Sequence, residues 1–252
     1  MRITLTIDQG NSYAKATLFR DSEIAARMRC ASLAFADILG MLGDTLPDAA
    51  IYCAVGRFDE DLVEALRSLR GCRLTVLSHS TPLPIDVEYA SKSTLGLDRI
   101  AAAVGAASLF PGVERLVADS GTALTLDHVD RSGTFRGGNI SPGVKLRLRS
   151  LHEYTDRLPE VAKAGELPLF GFDTETAIRA GAIRGVAAEI ASAFRHVDRG
   201  GEAALVLTGG DAGLLLPLLE PDVCPGRIHH APDLVAFGLK TIIDYLTENE
   251  NK

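Results

Sequence analysis

Clustered cysteine ligands are missing from this chain. Its four cysteines, Cys30, Cys53, Cys72 and Cys224, stand far apart, with no Cys-x-x-Cys pair of the kind that holds zinc or exchanges disulfides. Buried free thiols in a reducing compartment are the expectation. No Gly-x-x-x-x-Gly-Lys-Ser/Thr occurs, which excludes a Walker-type phosphate loop, and no Gly-x-Gly-x-x-Gly follows a strand-like run. His152-Glu153 lacks the second histidine of a zinc protease, and His229-His230 is read as lacking nearby acidic or thiol partners, so these read as surface or satisfied polar residues. Basic excess is missing too: 26 Lys and Arg against 33 Asp and Glu leave a net charge of -7. With no long basic run, nucleic acid is not an expected partner. No apolar run approaches the ~20 residues of a membrane span. Met1 leads straight into a strand pattern rather than a charged and then apolar leader, so a cytoplasmic protein without membrane association is expected.

The 252 residues, 46% hydrophobic and 23% charged, suit a globular protein that buries on the order of 70% of its unfolded surface. The stretch that organises the chain is Ile7-Asp8-Gln9-Gly10-Asn11-Ser12-Tyr13-Ala14-Lys15, a turn between strand-like runs at 2–7 and 13–19. An aspartate ending a strand, a glycine that admits close backbone approach and small polar donors can cradle phosphate. Asp-x-Gly-Asn is also an ordinary hairpin turn. A second copy, Asp119-Ser120-Gly121-Thr122 between the runs 115–119 and 123–126, shifts the balance towards the functional reading.

Between the copies the pattern alternates. Residues 37–46 read as a short helix, 50–55 as a buried strand, 59–70 as an amphipathic helix with acidic residues in its first turn, and 73–77 as a strand. A proline-containing loop spans 78–93, and Leu95-Gly96-Leu97-Asp98-Arg99 opens an alanine-rich helix closed by Pro111-Gly112. The boundary between halves is placed there, giving domains 1–112 and 113–252 with no low-complexity linker, packed around a cleft. In the second half a strand runs to Ile140, and Ser141-Pro142 reads as a hydroxyl cap followed by a helix-starting proline. A long helix covers 174–196, where Gly181 and Gly185 suggest close packing against another element, including a helix of a second subunit. A buried strand at 203–207 enters Thr208-Gly209-Gly210-Asp211, whose bare backbone suits a flat base such as adenine. A final amphipathic helix begins at Pro232. The alternation makes the fold class α/β.

Several motifs now coincide in order and separation: the turns at Asp8 and Asp119, Gly96-Leu97-Asp98-Arg99, Gly137-Gly138-Asn139-Ile140-Ser141-Pro142-Gly143, and Thr208-Gly209-Gly210-Asp211. Together they resemble the actin-like ATPase superfamily of sugar kinases, heat-shock chaperones and actin, and more specifically the type III pantothenate kinase family. Gln9 stands where that family usually has a small or aliphatic residue, and Ser12 replaces threonine.

The resemblance implies two ribonuclease-H-like domains related by duplication, with mixed sheets, flanking helices and an interdomain ATP cleft. It implies ATP-dependent phosphorylation of pantothenate, with Asp98 as general base and Gly96, Leu97, Asp98, Arg99 and Thr174 at the substrate. The helix N-terminus is expected to keep Asp98 ionised, and Arg99 to pair with the pantothenate carboxylate or to form a structural salt bridge. Asp8, Gln9, Gly10, Asn11, Ser12, Tyr13, Ala14 and Lys15 would contact ATP phosphates, joined by Thr122, Gly209 and Gly210. Asp8 would hold magnesium (Mg2+), chiefly through water, and Asp119 a monovalent cation (K+ or NH4+). Gly137, Gly138 and Gly143 would shape the cleft wall. Thr174 would act across a homodimer interface, with a plain helix cap as its other reading. A kinase for another small hydroxyl or carboxylate substrate, or a nucleotide-binding accessory protein without turnover, stays open at this point.

Overall fold

The computed structural model describes residues 1–221, 223 and 226–250; Cys224, expected to be a free thiol, lies outside them. Cys30, Cys53 and Cys72 are free thiols. The chain divides into two compact units.

The first unit holds Met1–Leu109 and the segment that starts at Asp233. Its sheet has the order β3-β2-β1-β4-β5, built from β1 (Ile3–Gln9), β2 (Ala14–Arg20), β3 (Glu23–Cys30), β4 (Ala49–Ala54) and β5 (Arg73–Val76). β1 runs antiparallel to β2 and parallel to β4. Period-2 alternation decides which side of the sheet each residue faces. Leu5, Ile7, Ala14, Ala16, Leu18, Ala50 and Tyr52 join a core with α1 (Phe35–Leu42) and α2 (Glu60–Arg67). α2 is a locally determined helix: the Asp59 side chain accepts from the Leu62 N–H at 2.9 Å, Glu60 and Asp61 sit at its positive end, and Leu62, Val63 and Leu66 are buried.

α3 (Leu97–Leu109) packs against α7 (Leu234–Glu250) through bare backbone. A Cβ on Gly238 would stand 1.7 Å from the Ala101 carbonyl oxygen, and one on Gly105 2.6 Å from that of Leu234. The expectation of one domain over residues 113–252 therefore differs from the compact units, since the last helix clusters with the first half. The cause is this long-range glycine crossing.

The second unit spans Phe110–Pro232. It contains β6 (Arg115–Ser120), β7 (Ala123–Val129), β8 (Phe135–Pro142), β9 (Ala204–Thr208) and β10 (Ile228–His230), ordered β10-β9-β6-β7-β8. Read from the other edge, this repeats the first sheet strand for strand: β6 pairs antiparallel with β7 and parallel with β9, as β1 does with β2 and β4. The core lies between the sheet and α5 (Thr174–Val197), where Ile178, Ala182, Val186, Ile190 and Phe194 are buried at the four-residue spacing read from the sequence. α4 (Val144–Glu153) and α6 (Ala212–Leu219) complete the unit. Among the described residues no helix is long and apolar enough to cross a membrane.

Two local expectations are corrected. Ser141-Pro142 does not start a helix: both residues continue β8, Ser141 opposite Leu124 and Pro142 opposite Ala123, and Gly143 is the cap of α4. β8 is an edge strand, where a proline without an N–H is tolerated, and the Ser141 hydroxyl donates to Glu189 Oε1 at 2.8 Å. Among the described residues Gly181 does not bring another element close, since a Cβ there would meet nothing within 4 Å, and one on Gly185 would meet Arg147 Nη1 at 3.5 Å.

Candidate active site

In the first unit, Asp8 and Gln9 end β1, Lys15 lies on β2, and the turn between them is closed by the Gly10 N–H donating to the Tyr13 carbonyl at 3.1 Å. Asn11, Ser12 and Tyr13 are exposed, whereas the Ala14 methyl is buried in the core, so Ala14 offers only backbone to a ligand. The turn after β4 abuts this one: a Cβ on Gly56 would sit 3.0 Å from Asn11 Oδ1.

Asp98 stands in the first turn of α3. Its Oδ1 accepts the Arg99 N–H at 2.8 Å, and the Ile100 N–H donates to the Gly96 carbonyl at 3.1 Å, which starts the helix. Upstream, the ring nitrogen Nε2 of His79 lies 2.8 Å from the Leu95 carbonyl oxygen and ties down the approach. Burial raises the Asp98 pKa, opposed by the Arg99 N–H and the Arg99 charge. The pull of the helix N-terminus, through the Arg99 N–H, is present but smaller than the effect of desolvation, so the carboxylate holds its proton more tightly than a free aspartate. For a base that must accept a proton near neutral pH, this is the useful direction. Arg99 itself is buried, with its guanidinium 5.9 Å from the Tyr89 ring centroid.

Asp8 and Asp98, distant in sequence, both act on Cys53. Cys53 is fully buried opposite Asp8 in the parallel ladder, and its thiol pKa is pushed well up by burial and then by the charges of Asp8 and Asp98. The sequence reading missed this residue, because only the β1–β4 register reveals it. A neutral thiol beside two carboxylates adds no third negative charge where an anionic ligand would approach.

In the second unit Asp119 ends β6, as Asp8 ends β1. The Gly121 N–H donates to the Ala123 carbonyl at 2.9 Å, and the exposed Thr122 caps the turn. Gly143 backs it closely, since a Cβ there would lie 2.3 Å from the Gly121 oxygen. Gly137 and Gly138 lie on the edge strand β8. Gly209, at φ +90°, faces the acidic turn: its Cβ would stand 2.4 Å from both Asp119 Oδ1 and the Ser120 carbonyl oxygen. There is no room for a side chain here, so the Gly209 backbone packs directly against the Asp119 carboxylate and the Ser120 carbonyl, hard oxygens of the kind that bind alkali-type cations. The exposed Gly210 follows, and the buried Asp211 pairs with Lys163 Nζ at 2.5 Å while its N–H donates to the Ser120 carbonyl at 3.0 Å. Lys163 was not singled out in the sequence; its loop is tied to this turn only through space.

Thr174 is the exposed first residue of α5. It is not the cap: Asp173 is, accepting the Thr176 N–H at 2.8 Å. Among the described residues no group of three or more His, Cys, Asp or Glu gathers as a metal cage. A single carboxylate such as Asp8 suits a hydrated magnesium ion, which keeps several of its waters.

A family model described as "Type III pantothenate kinase" matches residues 4–196. A type III pantothenate kinase of Porphyromonas gingivalis is 39% identical over 252 residues, covering 97% of this chain and 99% of that protein. One from Phocaeicola vulgatus is 38% identical over 245 residues, covering 96% of this chain and 98% of that one. In fold, the chain is similar to component A of the (R)-2-hydroxyglutaryl-CoA dehydratase of Acidaminococcus fermentans, with a TM-score of 0.56 at 15% identity and full coverage of both chains. The likeness to that structure is one of fold, two five-stranded sheets of matching strand order. With a family match over residues 4–196 and relatives of this identity along nearly its whole length, the chain belongs to the type III pantothenate kinase family.

Proposed function

We propose that this protein transfers the γ-phosphoryl group of ATP to pantothenate, giving 4'-phosphopantothenate at the first step of coenzyme A biosynthesis. The observation that carries the reading is the Asp98 carboxylate, raised in proton affinity by burial and fixed at the first turn of α3. The primary hydroxyl of pantothenate donates to Asp98, which takes its proton as the oxygen attacks the γ-phosphorus in line; the bond to the bridging oxygen breaks and ADP leaves. Arg99 pairs with the pantothenate carboxylate, and Gly96 and Leu97 give the substrate backbone to lie against.

The phosphates are held by Asp8, Gln9, Gly10, Asn11, Ser12, Tyr13, Ala14 and Lys15, the nucleotide also by Thr122, Gly209 and Gly210. As a kinase the chain uses ATP with a divalent metal; we take this to be magnesium, held by Asp8 through water, which neutralises phosphate charge when bound. Asp119 and the Ser120 carbonyl hold potassium or ammonium. The active form is a cytoplasmic homodimer in which Thr174 reaches the substrate of the other subunit. The exposed Leu169, Phe170 and Phe172 just before Thr174 support that reading.

The test is ADP release by the purified protein in the presence of ATP, magnesium and potassium, with and without pantothenate. Release that depends on pantothenate is expected. No turnover with all components supplied, or equal turnover without pantothenate, overturns the proposal.

A further inference from the structure

The ladders of the first sheet line up four chemically distinct side chains. Cys53 is opposite Asp8, Asp8 opposite Lys15, and Lys15 opposite Arg29. Residues directly opposite one another share a face, with Cβ atoms roughly 5 Å apart. Across β4, β1, β2 and β3 one face therefore reads thiol, carboxylate, ammonium, guanidinium. Two like charges side by side oppose strand pairing; Asp8 lies beside Lys15 in the ladder, while among the described residues no ion pair holds Arg29. Arg27, two residues earlier on the same strand and face, does have one: its Nη1 lies 2.7 Å from Asp233 Oδ2. Asp8 offsets Lys15 from one side, so the added Arg29 leaves the outer part of this face net positive beside a polar turn, a place for an external anion.

Arg29 is also aimed. Its guanidinium carbon stands 3.9 Å from the centroid of the Tyr13 ring, and Tyr13, at the end of the turn, is itself 46% exposed. Stacking occupies one flat face of the guanidinium and restrains its long stem, while the N–H edge remains available. That edge is a fork of donors matched to the non-bridging oxygens of a phosphate.

We propose that Arg29, held on the Tyr13 ring, is a further polyphosphate-binding residue, forming with Lys15 a two-cation clamp on the phosphate tail of the nucleotide. The proposal rests on the kinase reading for taking ATP as the anion. It extends the phosphate site beyond the turn onto β3, a strand that no phosphate-loop motif includes. Successive strands ~5 Å apart carry, in order, the carboxylate assigned to the metal, the ammonium and the guanidinium, so the positive charge follows the tail away from Asp8.

The experiment is calorimetric titration of full-length wild type, Arg29→Gln, Arg29→Lys and Tyr13→Leu with magnesium-ATP and with inorganic tripolyphosphate, alongside steady-state kinetics. Arg29→Gln should weaken both anions about tenfold, the ~1.4 kcal/mol of one lost charged contact, and flatten the salt dependence of binding. The KM for pantothenate should stay within about twofold. Arg29→Lys keeps the charge without the fork and guards against a folding defect; it should recover part of the loss. Tyr13→Leu should weaken both anions by a smaller factor. Wild-type affinity for ATP and tripolyphosphate in Arg29→Gln overturns the clamp, as does a loss confined to kcat. A wild-type protein that binds ATP but forms no phosphopantothenate overturns the kinase reading and leaves the clamp to be decided by the same comparison of affinities. A wild type that binds neither anion overturns both.

Discussion

A Cβ placed on Gly96 would stand 2.5 Å from Oδ1 of Asp98, so the absent side chain of one residue is the space occupied by the carboxylate of the other. Gly96→Ala should push that carboxylate off its position while leaving the phosphate turn untouched. A misplacement on this scale costs about 100-fold in turnover. The expected result is a kcat lowered by that order with the KM for ATP nearly unchanged, measured by pantothenate-dependent ADP release. A fully active Gly96→Ala enzyme contradicts the role given to this contact.

Asp98→Asn should lower turnover by at least ~100-fold and at the same time raise the melting temperature. Burial raises the pKa of Asp98 in the folded state, so folding favours its protonated form. The stability it contributes is present below the unfolded pKa and is lost as pH rises through the raised folded value. Near neutral pH the ionised group therefore weakens the fold, and a neutral amide of the same shape removes that cost. Thermal unfolding of both proteins at pH 4 and pH 7.5 checks this: the gain should be larger at pH 7.5. An equal or reversed difference contradicts the direction.

What could be read from the sequence was what is local. The acidic turns at Asp8 and Asp119 were legible because strand, aspartate, glycine and strand follow one another within a dozen residues. β3 was not: Ala25, Arg27 and Arg29 alternate with Ile24, Ala26 and Met28, a pattern short of β-branched and aromatic residues. Ser141-Pro142 misled because a serine before a proline satisfies the local rule for a helix start, while pairing with Leu124 and Ala123 decides the outcome. Cys53 beside Asp8, Lys163 on Asp211 and α7 on α3 depend on register or tertiary packing, which no window of sequence contains.

The crossing of α3 and α7 gives a stability prediction whose sign opposes the usual one. Glycine to alanine inside a helix ordinarily gains up to ~1 kcal/mol. At Gly238 the new methyl would lie 1.7 Å from the Ala101 carbonyl oxygen, a backbone atom that cannot rotate away. Overpacking of this kind costs about 1–3 kcal/mol, so Gly238→Ala should destabilise on balance. Urea unfolding should show a lower midpoint at an unchanged slope. Because α3 carries Asp98, kcat should fall as well. An unchanged or higher midpoint shows that the two helices can separate freely.

Gly209 offers the corresponding prediction for the second unit. At φ +90° an alanine is strained, and its Cβ would stand 2.4 Å from both Asp119 Oδ1 and the Ser120 carbonyl oxygen. The methyl would push aside the Asp119 carboxylate, the group assigned to the monovalent cation. Gly209→Ala should therefore lose the activation by potassium and raise the KM for ATP, since the same turn faces the nucleotide in the proposed function. Strain alone could produce a general loss, so Asp119→Asn is the necessary companion. It keeps the shape of the turn, removes the charge, and should abolish the potassium dependence at a smaller cost in melting temperature. Turnover against potassium concentration, for wild type and both variants, separates the cases. Wild-type potassium activation in Asp119→Asn removes this carboxylate from the cation site, whatever Gly209→Ala does.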